Sequence, residues 1–233
     1  MKRIAIIGAM EEEVNQLKER MEVSGTEQIA SMEFVKGLLE GREVVVVRCG
    51  IGKVNAAICT QVLADRYQVD GIINTGVAGA LYQELNIGDI VLSTDALQHD
   101  MDATGFGYPM GVIPRMETSV FEADKELIAA AKAVCEEVNP DIQVFTGRVV
   151  SGDQFISDQG TKERLIKQFE GYCTEMEGAA IAQAAWLNKL PFLIIRAISD
   201  KADNSAEMDY GEFEAKAIEH TVKLVCALVP RLL

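Results

Sequence analysis

Three short segments carry acids beside small residues. Gly8-Ala9-Met10 runs into Glu11-Glu12-Glu13, Thr174-Glu175-Met176-Glu177 precedes an alanine-rich stretch, and Arg196-Ala197-Ile198-Ser199-Asp200 closes an apolar run. Carboxyl groups in such places can give or take protons and can stabilise positive charge. Each segment also has a plain structural explanation. Acids at a helix start suit its positive end, which accounts for at least two of Glu11, Glu12 and Glu13. Thr174 with Glu177 three residues later reads as a capping box. Taken together the three are harder to assign to structure alone, because their side chains can converge on one cleft.

Other chemistries are poorly supplied. The histidines are His99 and His220, with no H-E-x-x-H or H-x-H, so a His-rich catalytic metal site is not expected. His99 is expected to be a hydrogen-bonded structural residue, Asp100 and Asp102 a solvated loop, and Asp153 a turn cap. There are 22 basic and 36 acidic residues, a formal charge of −14. Such a chain repels phosphate backbones, so no nucleic-acid partner is expected, and most of the excess reads as solvated surface. Five cysteines, none in C-x-x-C, fit reduced thiols in the cytoplasm better than a disulfide framework. The apolar run from Ile4 is cut by Glu11, too soon for a secretory signal, and no stretch approaches the roughly 18 apolar residues of a membrane span. A soluble cytoplasmic protein without a membrane partner is expected.

The elements that must position these acids follow from the apolar pattern. Short β-branched runs at Ile4 to Ile7, Val44 to Val47, Ile72-Ile73, Ile90 to Leu92, Val149-Val150 and Phe192 to Ile195 read as buried strands. Val54 to Tyr67, Lys125 to Val138, Glu177 to Trp186 and Phe213 to Leu228 read as helices, the second capped by Asp124. Alternation of the two predicts an α/β fold in one domain, residues 1–233. Phe34-Val35 and Val44 to Val47 flank a turn, so a hairpin and hence a mixed sheet is predicted. In open α/β sheets ligands bind at the carboxyl ends of strands, which is where the acids and the small-residue run Asn74-Thr75-Gly76-Val77-Ala78-Gly79 fall.

Six segments now carry a resemblance: Gly8 to Glu13, Cys49-Gly50-Ile51-Gly52-Lys53-Val54, Asn74-Thr75-Gly76, Val150-Ser151-Gly152-Asp153, Glu175-Met176-Glu177 and Arg196 to Asp200. In order and spacing, from about residue 3 to residue 228, the chain resembles the bacterial 5′-methylthioadenosine/S-adenosylhomocysteine nucleosidases of the nucleoside phosphorylase superfamily. The resemblance implies a three-layer α/β sandwich with a mixed, partly barrel-like central sheet. It implies hydrolysis of an adenine–ribose bond with no metal and no organic cofactor.

That reaction leaves positive charge on the ribose and negative charge on the base, so an acid must protonate adenine and a base must prepare a water. By resemblance Asp200 is the acid, oriented by Ser199. Glu13 activates the water, Glu177 binds ribose hydroxyls, Met176 packs on the sugar, and Arg196 orders the water and the acids. Phe155 and Ile156 match the stack on adenine and the backbone that reads its edge, although an aromatic such as Phe155, taken without the resemblance, is more often a core residue. Ala78 and Gly79 match residues lining the purine site, and Tyr210 stands where the family commonly has phenylalanine. Met10, Ile51 and Glu175 belong to the expected binding set. Ala103 to Phe106, with Pro114 nearby, correspond to a segment that enters the neighbouring subunit's pocket, which implies a homodimer.

Val77 and Cys49 stand where serine is usual in the family; Val77 removes a hydroxyl near the ribose side of the pocket, and Cys49 is the smaller departure. A phosphorylase of the same superfamily, a futalosine-type hydrolase and a non-catalytic nucleoside-binding protein are the competing readings. A phosphorylase must hold phosphate, which favours arginines at the strand ends; here Asn74 stands where related phosphorylases tend to carry one.

Overall fold

A computed structural model describes residues 1–232 of the chain. Its strands are β1 (Arg3–Gly8), β2 (Glu22–Ile29), β3 (Met32–Leu39), β4 (Arg42–Arg48), β5 (Gly71–Ala80), β6 (Ile90–Gln98), β7 (Phe121–Glu122), β8 (Val144–Ser151), β9 (Cys173–Glu175) and β10 (Phe192–Asp200). The helices are α1 (Glu11–Glu19), α2 (Lys53–Val62), α3 (Lys125–Val138), α4 (Gln159–Phe169), α5 (Gly178–Leu187) and α6 (Ala206–Leu228).

All ten strands join one sheet in the order β10-β6-β8-β9-β5-β1-β4-β3-β2, with β7 on β6. β10 also pairs with β5 in parallel, which closes five strands into a barrel-like ring. Parallel pairs (β1 with β4 and β5, β6 with β8) stand beside antiparallel ones (β6 with β10, β5 with β9), so the sheet is mixed as expected. Helices flank it: α6 lies along β10 and β5 and also meets α1 and α3, and α2 packs on α5. Every residue of β10 is buried, which is why that strand reads as a continuous apolar run. α5 is buried on nearly all sides, and only a row of alanines and a glycine lets α2 and the sheet approach it so closely. Asp124 caps α3 as expected, its Oδ1 accepting from the Glu126 and Leu127 amides at 3.0 and 2.9 Å.

Several boundaries differ from the sequence reading. The predicted hairpin is three strands, because β2 pairs antiparallel with β3. β2 is mostly solvent-facing and polar, so it lacks the apolar alternation that marks a strand. Its turn uses Ala30 and Ser31, at φ 50° and 62°, a two-residue left-handed turn without the usual glycine signal. The run Asn74 to Gly79 forms the second half of β5, which extends beyond Ile72-Ile73 to Ala80. α2 continues into a π-helical turn over Leu63–Tyr67. The capping box at Thr174 does not form: Thr174 lies in β9, and Glu177 is itself the residue preceding the first turn of α5. α4, capped by Asp158, escaped the sequence reading because it buries little more than Leu165 and Phe169.

Candidate active site

The carboxyl ends of β5 and β10, the start of α1, the end of β9 and the first turn of α6 meet around one cleft of about 630 Å³, mouth included. Its walls hold Met10, Glu13, Ile51, Ala78, Gly79, Phe155, Glu175, Met176, Glu177, Ser199, Asp200 and Tyr210, with Ala9, Val77 and Thr174. Thus all three carboxyl segments do converge. Among the described residues lining the cleft there is no lysine, arginine or histidine.

Glu13 is held by backbone. Its Oε2 accepts from the Ala9 and Met10 amides at 2.7 and 3.0 Å, and its Oε1 from the Val77 amide at 3.1 Å. The approach to β5 requires Gly76, where a Cβ would lie 2.3 Å from Glu13 Oε1. Burial raises the Glu13 carboxyl above its ordinary range, against the pull of Arg196 and of those three amides. Glu177 accepts from the Gly52 amide at 2.8 Å. Burial, and then the neighbouring Glu175, push it up to about 8.

Arg196 does not line the cleft; it lies behind it, 2% exposed. Its Nη2 donates to Glu175 Oε2 at 2.5 Å and to Asn74 Oδ1 at 2.6 Å. Burial alone would lower the guanidinium's pKa, but Glu175 and Glu13 outweigh it and hold Arg196 charged. Among the described residues Arg196 Nε finds no hydrogen-bond partner. Glu175 is fully engaged: it also accepts from Ser151 Oγ and from the amides of Glu177 and Gly178. Its charge is therefore spent on the arginine and the first turn of α5, while Glu13 and Glu177 face the cleft.

Asp200 sits at the far end of β10, accepting from Ser199 Oγ at 2.9 Å and from the Ala202 amide at 2.8 Å. Both bonds favour the ionised form, yet burial prevails and raises its pKa. Gly79 gives it room, since a Cβ there would lie 2.7 Å from Asp200 Oδ1. Across the cleft Phe155 is half exposed, at 48%, and meets Tyr210 edge-on at 6.0 Å, so it is not a core aromatic. The Tyr210 hydroxyl donates to Glu214 at 2.6 Å and lies 3.3 Å from Met10 Sδ. Ile156 lines a small recess that adjoins the cleft beside Gly79 and Asp200.

Ala103, Phe106 and Pro114 do not line this chain's cleft. Phe106 is 88% exposed on a short 3-10 turn. Other expectations need correction. His99 is buried, and its Nε2 has no partner among the described residues; its ring presses on Gly152. Asp100 is not solvated but pairs with Lys53 at 2.6 Å, while Asp102 is exposed and caps Thr104. Asp153 caps the first turn of α2 rather than its own loop, Oδ1 accepting from the Lys53 amide at 2.9 Å. The sequence reading missed the Gly52 and Val77 amides and the second function of Asn74, which donates to Ile7 O at 2.9 Å while accepting from Arg196. Glycine at 52 and 76 was the available signal. Among the described residues no three His, Cys, Asp or Glu side chains are grouped so as to hold a metal ion.

The sequence matches the phosphorylase superfamily over residues 3–230. A 5′-methylthioadenosine/S-adenosylhomocysteine nucleosidase of Bacillus cytotoxicus is 43% identical over 231 residues, 99% of each chain. The chain belongs to this nucleosidase family of the phosphorylase superfamily. In three dimensions it resembles the nucleosidase of Neisseria meningitidis, solved with methylthio-immucillin-A, at TM-score 0.95 and 38% identity over 100% of each chain. It also resembles the futalosine hydrolase of Helicobacter pylori, at TM-score 0.93 and 32% identity over 99% of this chain and 98% of that one.

Proposed function

We propose that the protein hydrolyses the N-glycosidic bond of 5′-methylthioadenosine and S-adenosylhomocysteine, releasing adenine and the thioribose product. The observation that carries this is a cleft lined by Glu13, Glu177 and Asp200 and, among the described residues, by no basic side chain. A ribosyl cation is stabilised by such a wall, whereas a phosphate nucleophile finds no cationic side chain there to hold it. Arg196 offers phosphate little, because Glu175 and Asn74 already occupy it.

Asp200, with its pKa raised by burial, carries the proton that adenine takes as it leaves, and Ser199 fixes its second oxygen. Glu13 keeps lone pairs beyond its three amide bonds and uses one to orient and deprotonate the attacking water. Glu177 accepts from the ribose hydroxyls. Phe155 and Tyr210 cover the base, Met176 and Met10 pack on the sugar and its 5′-substituent, and Ile51, Ala78, Gly79 and Ile156 complete the walls. Arg196 and Glu175 hold the acids in place from behind. No metal or organic cofactor enters this scheme.

The chain acts as one domain and as a homodimer in the cytoplasm. Phe106, exposed on its own subunit, is suited to cover the neighbour's cleft together with Ala103 and Pro114. A fully active monomer at working concentration, by sedimentation, refutes the shared site. The second reading is futalosine hydrolysis, favoured by the likeness to the Helicobacter pylori enzyme. Incubation with methylthioadenosine or futalosine, with and without phosphate, separates the readings. Adenine from methylthioadenosine without phosphate is expected. Strict phosphate dependence, or activity on futalosine alone, overturns the proposal.

A further inference from the structure

Beside the cleft, three segments distant in sequence are tied by one carboxylate. Asp100, just past the end of β6, accepts from Lys53 Nζ at 2.6 Å and from the Asp153 amide at 2.9 Å. Asp153 in turn accepts from the Lys53 amide at 2.9 Å, and Lys53 Nζ also donates to Gln98 Oε1 at 3.0 Å. The result is a closed ring of hydrogen bonds between the amino end of α2, the end of β6 and the loop after β8. The Lys53 and Asp100 side chains are each 17% exposed, so water screens this pair less than a surface one. α2 has no side-chain cap of its own, since Gly52 precedes it; the cap comes from Asp153. Gly52 has φ 99°, and a Cβ there would lie 3.2 Å from Asp153 Oδ1, so the contact is closely fitted.

Two of the three tied segments lead within two residues to a group at the cleft. Gly52, next to Lys53, donates to Glu177, and Phe155 lies two residues beyond Asp153. We propose that Lys53, Asp100 and Asp153 are positioning residues: they lock the Phe155 loop onto the start of α2, so that the face for the base and the Glu177 carboxyl for the sugar are set in one register. The claim deepens the nucleosidase reading and rests on it for what the two groups hold.

Asp100→Asn and Lys53→Met open the ring without touching the cleft, and Asp153→Ala removes the cap while leaving the Lys53–Asp100 pair. Amide hydrogen exchange at Gly52 and residues 152–156 is expected to speed up at least about tenfold in each, with the five-stranded ring unchanged. KM for methylthioadenosine is expected to rise about tenfold, with kcat falling less, and Lys53→Arg is expected to restore most of it. A pH profile separates positioning from simple loss of stability. Glu177 is faced by the Gly52 amide just before α2, Cys49 after β4, Glu175 from β9, Arg196 from β10 and Glu13 from α1, and of these the Gly52 amide alone adjoins the ring, through Lys53. Losing its bond raises Glu177 further, so the acid limb of kcat/KM moves to higher pH. Unchanged exchange at 152–156 overturns the proposal. So does a KM within about twofold of the parent value despite faster exchange, or a loss of activity that follows Tm with no movement of the limb. Exchange needs no substrate, so a parent protein that releases no adenine refutes the nucleosidase reading while the exchange result still judges the ring.

Discussion

Glu177→Gln should stabilise the protein, and increasingly so as pH rises. The carboxyl has an ordinary value of 4.5 and stands at about 8 in the fold. A carboxyl raised in this way costs the folded state nothing below the unfolded pKa; the penalty grows above it and is complete above the folded one. The folded state therefore carries about 1 kcal/mol of penalty at about pH 5, about 3 at about pH 7 and, above both values, about 5 at about pH 9. The cleft mouth admits water, which lowers these ceilings without changing their sign or trend. Glutamine removes the ionisation while its amide oxygen still accepts from the Gly52 amide, and its NH₂ faces the cleft. The other raised acids, Glu13 and Asp200, are present in both proteins and cancel to first order in the comparison. The assay is urea unfolding of parent and variant at the three pH values and one protein concentration, since assembly shifts apparent stability. The gain should widen steadily with pH. A variant that is less stable than the parent at about pH 9, or a difference that does not change with pH, refutes the claim that burial holds a proton on Glu177.

Asp200→Asn keeps the shape of the acid but not its proton; adenine release should fall by about 10²–10⁴-fold while adenine binding, followed by calorimetry, persists. Gly76→Ala places a Cβ 2.3 Å from Glu13 Oε1, so Glu13 must shift off the amides that hold it; kcat should drop about a hundredfold and Tm should fall as well. Arg196→Met leaves Glu175 buried without its cation and should cost about 3–5 kcal/mol in urea unfolding, far more than removal of an exposed pair such as Arg231–Glu137.

What the sequence displays depends on whether an element announces itself by pattern. β1, β4 and β10 are buried on both faces, so runs such as Phe192 to Ile195 stand out, and α3 carries both an amphipathic face and an aspartate cap. β2 and α4 earn their places through pairing partners and a few buried residues, and neither leaves much periodicity. The carboxyls at 13, 175, 177 and 200 were visible as residues, Glu13 and Asp200 because they close segments that begin with an apolar run, and Glu175 and Glu177 because they precede the alanine-rich helix. Their division of labour was not. Nothing in Glu175-Met176-Glu177 tells which glutamate faces Arg196 and which faces the cleft; the alternation of β9 decides it, by sending Glu175 inward to the arginine. Backbone donors were equally invisible, because any residue has an amide and only the fold aims those of Gly52 and Val77.

That division bears on how an acid-rich cleft can exist before substrate arrives. Glu13, Glu175 and Glu177 stand near a single buried guanidinium, with Asp200 farther along the cleft, and full negative charges on all three beside Arg196 would repel one another strongly. The fold escapes this by pairing one of them, Glu175, with Arg196 and by raising the others through burial, Glu177 to about 8. In the empty cleft at neutral pH Glu177 is then mostly protonated, and the site is less negative than its composition suggests. A ribosyl cation reverses the balance: positive charge beside Glu177 and Glu13 favours their ionised forms, so the wall becomes more negative as the glycosidic bond breaks. Stabilisation of this kind grows along the reaction instead of being spent on the ground state. It also assigns Asp200 a distinct duty, because its hydrogen bonds to Ser199 and the Ala202 amide prepare it for the anionic form it must adopt after adenine takes its proton.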